Sequence, residues 1–229
     1  MSVKENIDTV KSEIYKAALS AGRDPGDIDI VAVSKGVSPE DIQQAIDAGI
    51  DIVAENRVQE FVDKYDKLDK KIRWHFIGSL QTNKVKYIID KTELIHSLDR
   101  VSLARMLNKR GKAINRRVQA LVQVNITKET SKSGVYEEDL PKFLEEVSMY
   151  PFLKVKGLMT IGPHTDDSIL IRACFNRCRE IFERLQSEKL DHIDMEYLSM
   201  GMSSDYMIAV EEGANIVRIG RAIFNKKAI

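Results

Sequence analysis

The chain has 229 residues, enough for one compact domain with a sizeable core but too few for two full catalytic domains. Its 35 lysine and arginine residues balance its 35 aspartate and glutamate residues, so no net field draws it to nucleic acid or to an anionic membrane. No run approaches the roughly 20 apolar residues that span a bilayer, and the charged amino-terminal segment is unlike a signal peptide. We therefore expect a cytoplasmic protein with a small-molecule partner.

The first predicted elements are a helix, a strand and a second helix. Val3, Ile7 and Val10 recur at helical spacing, with charged residues on the other faces, and predict an amphipathic helix. Residues 28–36, "IDIVAVSKG", then form a mostly apolar strand that ends on a lysine and a glycine. The following "SPEDIQQAIDAG", residues 38–49, has a capping serine, a proline at the first helical position and a terminal glycine.

Seven more apolar or β-branched runs follow, and each precedes a segment compatible with a helix. They are "DIVAEN" 51–56, "IRWHFIG" 72–78, "ELIHSL" 93–98, "RVQALVQVNI" 117–126, "KVKGLMTI" 154–161, "DMEYLSMG" 194–201 and "NIVRIG" 215–220. Eight strands alternating with helices in this length predict a parallel (β/α)8 barrel of the TIM type with an extra leading helix. No linker or low-complexity tract divides the chain, so we expect residues 1–229 to form a single domain.

The two cysteines, Cys174 and Cys178, lie four residues apart in a predicted helix. This spacing suits side-by-side packing better than a disulfide. Because no further metal ligands are close in sequence, we expect two ordinary buried or half-buried thiols and no metal site.

The last two strands end in groups that suit a phosphate. In barrels of this type, functional groups gather at the carboxyl ends of the strands, and phosphate is often held after strands seven and eight. Strand seven leads into Ser199, Ser203 and Ser204, and strand eight ends at Gly220 before a short helix with free amides. Each feature alone is typical of a turn or cap, but their joint placement predicts a phosphate cradle.

Lys35 ends the first strand at the same face of the predicted barrel. A strand-terminal lysine often extends its ammonium into water while its stem covers apolar surface. Condensation with an aldehyde needs a neutral amine, and hence a pKa below the ordinary value of about 10.4. An apolar barrel mouth would lower the pKa by desolvation, although a nearby phosphate dianion acts in the opposite direction. The predicted ligand is therefore an aldehyde that carries a phosphate.

Several motifs extend this prediction. They are "VAVSKGVSPEDIQQAIDAGI", "AENRVQEF", "WHFIGSLQTNK", "SKSG", "VKGLMTI" and "LSMGMSSDYMIAVEEGANIVRIGRAIF". Together, from about residue 7 to residue 224, they resemble the pyridoxal phosphate homeostasis protein family, the YggS/PROSC group, whose barrel is similar to the amino-terminal half of alanine racemase. The resemblance implies a fold type III barrel in which pyridoxal 5'-phosphate (PLP) is held as an internal aldimine on Lys35.

The resemblance also implies positions for the phosphate contacts. They fall on Ser203 and on the backbone around Gly201, Gly220 and Arg221, with Ser199 nearby. Two positions depart from the family pattern, which often has a threonine at Arg221 and a glycine at Asn225. A hydroxyl contact at the first of these positions is lost, but the guanidinium offers charge and the backbone amide is retained.

Four further residues are placed near the cofactor ring by the same resemblance. Arg218 is expected to face the pyridine nitrogen, although an arginine there could instead pair with an acid inside the barrel. Asn56, at the end of strand two, is expected beside the cofactor, and Ile77 and Met159 are expected to line its ring.

The resemblance leaves open whether the protein is an enzyme. Racemases with this barrel carry a second, carboxyl-terminal β domain that supplies a catalytic tyrosine across a dimer interface, whereas this chain ends at Ile229. Arg218 stays charged and disfavours a protonated ring nitrogen, although the racemases also use an arginine there. We therefore expect a monomeric carrier that stores, buffers or delivers PLP, with PLP-dependent apo-enzymes as candidate recipients.

Other side chains could supply acid–base chemistry. The candidate tyrosines are Tyr65, Tyr87, Tyr136, Tyr197 and Tyr206. His75 lies within a strand and is typical of a hydrogen-bonded structural residue, which leaves His164, in a loop, as the best remaining base. The alternative functions are thus a PLP-dependent amino-acid racemase and a Schiff-base aldolase acting on a phosphosugar.

A second amine near the cofactor would assist transfer by transimination. Lys132 in "SKSG" and Lys84 in "QTNK" are candidates for this role, and both are also compatible with ordinary solvated loop lysines.

Overall fold

The computed structural model describes residues 2–69, 71–130, 132–188 and 190–225. Eight parallel strands form a closed barrel in which each strand pairs with its neighbours in sequence and the last pairs with the first. The strands are β1 Asp29–Val33, β2 Ile52–Glu55, β3 Arg73–Phe76, β4 Leu94–Leu98, β5 Val118–Gln123, β6 Leu153–Met159, β7 Ile193–Ser199 and β8 Ile216–Ile219. The predicted (β/α)8 barrel is confirmed, since each strand lies within a predicted run or overlaps it.

Helices cover the outside of the barrel. The α-helices are α1 Val3–Ser20, α2 Pro39–Asp47, α3 Val58–Tyr65, α4 Val101–Ala113, α5 Leu140–Ser148, α6 Ser168–Gln186, α7 Tyr206–Glu211 and α8 Arg221–Phe224. Short 3-10 helices occur at Pro25–Asp27, Thr82–Tyr87 and Glu137–Asp139. In the described ranges, no helix is long and apolar enough to cross a membrane.

The leading helix α1 is fixed at its start and along its apolar face. The Ser2 hydroxyl accepts from the Glu5 amide at 3.2 Å, and the Glu5 carboxylate accepts from the Ser2 amide at 2.7 Å, a reciprocal cap. The buried face of α1 packs against α7 and α8. The Asn6 side-chain amide donates to the Ile223 carbonyl at 2.8 Å. Helix α1 therefore supports the two short helices that follow strands β7 and β8.

The interior of the barrel is packed separately from the layer between strands and helices. Its apolar residues are Val31, Ile52, Ala54, Leu94, Leu121, Met159 and Ile216. Buried polar side chains share this interior, namely His75, His96, Ser199 and Arg218. The barrel is thus filled, and a ligand can enter only at one of its mouths.

Both cysteines lie buried on α6 as free thiols, as predicted. Burial raises the pKa of Cys174 to about 11 and also raises the pKa of Cys178. Neither thiol is therefore a reactive nucleophile near neutral pH.

Candidate functional site

A cavity of about 680 Å³ lies at the carboxyl-terminal mouth of the barrel. The sequence-predicted residues that line it are Lys35, Asn56, Ile77, Ser203, Arg218, Gly220 and Arg221. They come from the ends of β1, β2, β3, β7 and β8, so the closed barrel brings together residues up to 186 positions apart, the difference between 221 and 35. The structure therefore places the predicted amine and the predicted phosphate cradle in one cavity.

The residues of the predicted phosphate cradle lie where the loops after β7 and β8 meet. The Ser203 hydroxyl accepts a hydrogen bond from the Ala222 amide at 3.2 Å, which ties one loop to the other. Gly201 adopts φ +91°, and a Cβ there would lie 2.5 Å from the Cβ of Ala209 in α7. Only glycine fits this turn, because both the backbone angle and the close helix exclude a side chain. The Gly201 carbonyl accepts a hydrogen bond from the Arg218 amide at 3.0 Å, which joins this turn to strand β8.

Arg218 lies at the floor of the cavity with 4% of its surface exposed. Its Nη1 donates to the Ser199 hydroxyl at 2.6 Å and its Nη2 donates to the Thr160 carbonyl at 2.9 Å. Burial lowers its pKa to about 10, with the Asp205 carboxylate acting in the opposite direction. Arg218 is therefore held by neutral groups, and among the described residues it forms no ion pair with an acid, which was the alternative expectation.

Two predicted residues lie below the cavity rather than in its wall. Ser199 is fully buried, its hydroxyl contacts Arg218 and His96, and it is not among the described residues that line the cavity. Met159 is 1% exposed in the interior cluster, and Ile161 lines the cavity in its place. Because side chains two residues apart share one face of a strand, Met159 lies one layer deeper than Ile161.

Lys35 is exposed at the edge of the cavity. We expected an apolar mouth to shield its amine from water, and this expectation was wrong for the protein alone. Gly36 directly after it adopts φ +68°, a left-handed angle that explains why the strand ends on lysine followed by glycine. The backbone at Lys35 thus precedes a tight turn, whereas the residue itself is exposed to solvent.

The backbone on either side of Lys35 is held by a buried charged cluster of Glu55, Glu60 and Lys64. The Lys64 ammonium donates to Glu55 at 2.6 Å and to the Ser34 carbonyl at 2.7 Å. Lys64 also lies 3.3 Å from Glu60, whose carboxylate accepts from the Gly36 amide at 2.9 Å. The cluster therefore bonds to the residue before Lys35 and to the residue after it.

This cluster was missed in the sequence. Glu55 is fully buried and Lys64 is 8% exposed. The Gly36 amide is the largest cause of the lowered pKa of Glu60. The sequence signal for the cluster was the pair Glu60 and Lys64, four residues apart on α3 and shortly after Glu55. Such a helix pair usually lies on a solvated surface, so the spacing alone does not predict a buried cluster.

The other candidate bases and amines differ in whether they line the cavity. Lys132 lines the cavity, and its ammonium contacts Glu129 at 2.6 Å and the Gly162 carbonyl at 2.8 Å. Lys84 and His164 are exposed and are not among the described residues that line the cavity. His75 is buried and bonded to His96, as expected of a structural residue.

None of the five candidate tyrosines lines the cavity in the described part of the chain. Tyr206, for example, is buried and donates its hydroxyl to Glu13 of α1. The acid–base role considered for these tyrosines has no support from their positions.

Comparison with known proteins places this chain in a family. Residues 8–227 match the model of the alanine racemase N-terminal domain. A pyridoxal phosphate homeostasis protein from Aquifex aeolicus is 42% identical over 228 residues, which cover 99% of each chain. The chain belongs to the pyridoxal phosphate homeostasis protein family. A second relative in this family, from Pseudomonas aeruginosa, is 38% identical over 99% of this chain and 96% of its own.

Two solved structures are similar to this chain in fold. PipY of Synechococcus elongatus, whose structure has PLP bound, is 30% identical with a TM-score of 0.85, covering 98% of this chain and all of its own. The alanine racemase of Corynebacterium glutamicum is only 12% identical, with a TM-score of 0.69, and covers 97% of this chain and 62% of its own. The likeness to the racemase shows a shared barrel and no more.

Proposed function

We propose that this protein binds PLP at the carboxyl-terminal mouth of its barrel and serves PLP homeostasis by storing, buffering or delivering the cofactor. The observation that carries the proposal is the single cavity shared by the Lys35 amine and the cradle around Ser203. An aldehyde and a phosphate on one small molecule match these two groups. The bound PLP in the related PipY structure supports the same assignment.

The residues present fit this cofactor. Asn56 has a buried side-chain oxygen without a hydrogen-bond partner among the described residues, in the wall of the cavity. Such an atom is costly unless a ligand or water satisfies it. The turn at Gly201 packs closely against α7, which follows the cradle loop, and Arg218 supplies a buried cation in the cavity lining. The cavity therefore suits a polar, anionic ring compound better than an apolar ligand.

Each group has a defined role. The Lys35 amine would hold the aldehyde end of PLP. Ser203 and the amides near Gly220 and Arg221 would hold the phosphate, and the Arg221 guanidinium would add charge. Arg218 would serve the ring nitrogen, and Asn56 and Ile77 would line the place of the ring.

The protein acts as a carrier without substantial catalysis. When bound, PLP supplies an electron sink for amino-acid chemistry, and catalysis then needs a residue that moves a proton at the substrate. His164 and the candidate tyrosines lie outside the described lining of the cavity. Lys132 lies inside it and is suited to assist release by transimination. PLP-dependent apo-enzymes are the proposed recipients.

Three broader properties complete the proposal. Residues 1–229 act as one PLP-binding domain, since the first relatives are matched over 96–99% of their own length. The protein works as a monomer. It resides in the cytoplasm, where a reducing environment suits the free thiols Cys174 and Cys178.

Substitution of Lys35 tests the proposal directly. Purified protein incubated with PLP should turn yellow, and borohydride should trap an adduct on Lys35 that peptide mapping locates. Lys35→Ala should lose both the colour and the adduct, because Lys132, the other amine in the described lining, is held by Glu129 and the Gly162 carbonyl. Lys84→Ala is the matched control and should retain both, since Lys84 is an exposed lysine outside the cavity lining. Full retention of an adduct in Lys35→Ala would refute the assignment.

The two alternative functions give different results. A racemase would convert single amino-acid enantiomers at an enzyme-like rate, and such conversion by the PLP-loaded protein would overturn the carrier role. A Schiff-base aldolase has a free lysine at rest and needs no PLP. A yellow, borohydride-sensitive protein would therefore exclude the aldolase.

A further inference from the structure

A chain of hydrogen bonds runs from the floor of the cavity through the barrel interior. Arg218 donates from Nη1 to the Ser199 hydroxyl at 2.6 Å, and Ser199 Oγ lies 3.0 Å from Nδ1 of His96. Nε2 of His96 lies 3.0 Å from Nδ1 of His75. We call Ser199, His96 and His75 the histidine relay. Its members come from β7, β4 and β3, and at most 1% of each is exposed.

The chemistry of the donors fixes the direction in which each hydrogen bond of this relay is donated. A guanidinium can only donate, so Ser199 Oγ accepts from Arg218 and its own proton is free to go to Nδ1 of His96. His96 then carries its proton on Nε2 and donates it to His75. Burial lowers the pKa of His75 to about 3 and holds the pKa of His96 well below its ordinary value. Both rings are therefore neutral, as the one-way chain requires.

The far end of the relay points toward solvent at the opposite mouth of the barrel. His75 Nε2 has no hydrogen-bond partner among the described residues and lies 4.0 Å from a carboxylate oxygen of Glu93. Glu93 directly precedes β4, is 39% exposed as a side chain and accepts from Arg73 at 2.9 Å. The hydrogen-bonded chain thus ends at His75, 4.0 Å from a partly exposed carboxylate.

The relay fixes the orientation of the Ser199 hydroxyl, so that its oxygen lone pair faces Arg218 and its proton faces away. A serine hydroxyl rotates freely unless its proton has a fixed acceptor, and a rotated hydroxyl would point its proton at the guanidinium. His96 provides that acceptor, and His75 fixes the tautomer of His96 by accepting from its other nitrogen. The other hydrogen bond of the Arg218 side chain, to the Thr160 carbonyl, holds only Nη2.

We infer that His96 and His75 are positioning residues that act through Ser199 to orient Arg218 toward the ring nitrogen of bound PLP. This inference rests on the proposed function. Neither histidine lines the cavity, so any effect on the cofactor must pass through Arg218. A purely structural role would change protein stability and leave the spectrum and affinity of bound PLP unaltered.

The test compares variants of the full chain loaded with PLP. His96→Leu removes both links of the relay and should raise the dissociation constant for PLP about two- to tenfold, the effect of one net hydrogen bond. It should also shift the absorption maximum, because the charge facing the ring nitrogen moves. His96→Asn should restore both values, since its side-chain oxygen takes the place of Nδ1. His75→Leu should give a smaller change in the same direction.

Ser97→Ala is the control for burial. Ser97 is fully buried on the same strand, adjacent to His96, and its hydroxyl has no partner in the described ranges. Thermal unfolding of every variant separates stability from binding. If His96→Leu does not fold, Ser199→Ala breaks the same link with a smaller change and replaces it.

The outcomes are distinct. The inference fails if the relay variants bind PLP with the affinity and spectrum of Ser97→Ala while only their unfolding temperatures fall. It also fails if His96→Asn behaves like His96→Leu, because then the acceptor for Ser199 has no influence. If the unaltered protein does not bind PLP at all, the proposed function fails, and the unfolding data still describe the relay as a structural network.

Discussion

Lys64 shows how a charge can be buried without being a reactive group. Only 8% of Lys64 is exposed, and its ammonium lies between the carboxylates of Glu55 and Glu60 and the carbonyl of Ser34. Burying one ion is costly, but a bonded set of opposite charges offsets that cost. The same contacts hold the turn that presents Lys35, so this residue links stability to the geometry of the site.

Lys64→Met should destabilise the protein strongly. It leaves the carboxylate of Glu55, which is fully buried, without its cation, and breaking such a pair costs about 3–5 kcal/mol. The free energy of unfolding in urea measures this loss. Lys4→Met is the control, because Lys4 pairs with Asp8 on the exposed surface of α1 and its loss should be undetectable. Similar behaviour of the two variants would show that the buried pair contributes little.

Ser203→Ala should weaken the hold on phosphate. If a charge-assisted hydrogen bond to the phosphate is lost, PLP affinity should fall by about 1–3 kcal/mol. Calorimetric titration with PLP and with pyridoxal, which has the aldehyde but no phosphate, separates this contact from other effects. The substitution should affect PLP far more than pyridoxal. An equal loss for both ligands would place the phosphate elsewhere.

Residues with a strong chemical reason for their position could be predicted from the sequence. Lys35 and Ser203 stand at strand ends, where the barrel gathers functional groups. Ser199 and Met159 could not be placed, because whether the last residue of a strand faces the cavity or the interior depends on a register that sequence alone does not give. The contact between His75 and His96 joins neighbouring strands 21 residues apart and leaves no local pattern.

At the scale of elements, α1 connects the outside of the barrel to the site. Its buried face packs on α7 and α8, and these two helices follow the loops of the predicted phosphate cradle. The helix was predicted from its 3.6-residue periodicity, as were the eight strands from their apolar runs. The sequence could not show which neighbours it supports, since that depends on how the barrel closes.

Ile7→Ala should lower the free energy of unfolding by about 2–5 kcal/mol, the usual cost of truncating a buried aliphatic side chain. Ile7 is 1% exposed and lies on the face of α1 that packs against the barrel. Leu19→Ala is the matched control in the same helix, because Leu19 is 54% exposed. Denaturant unfolding of both variants checks the difference. Equal stabilities would mean that α1 is docked only loosely.

At the scale of the whole molecule, the large exposed apolar side chains are spread over separate elements. Examples are Leu19 on α1, Met149 after α5, and Ile169 and Leu170 at the start of α6. Stable dimers usually bury a continuous patch of standard size, and scattered apolar residues do not provide one. The balanced charge likewise gives no long-range attraction to a polyanion.

The protein should therefore be a monomer in solution. Size-exclusion chromatography with light scattering should give a single species near the chain mass of 26.0 kDa, with and without PLP. The result should not change over a wide range of protein concentrations. A mass of twice this value, or one that rises with concentration, would contradict the prediction.

The exposure of Lys35 has a kinetic consequence for a carrier. If PLP is held on Lys35 as proposed, the exposure of this residue predicts that dissolved amines reach the site without any opening of the barrel, and that imine exchange sets the rate of unloading. Unloading should then accelerate in proportion to the concentration of an added free amine. The phosphate-binding loops would then set the affinity for PLP, and the exposed lysine would set its rate of release. Substitutions in the loops could change the affinity without changing the rate of imine exchange.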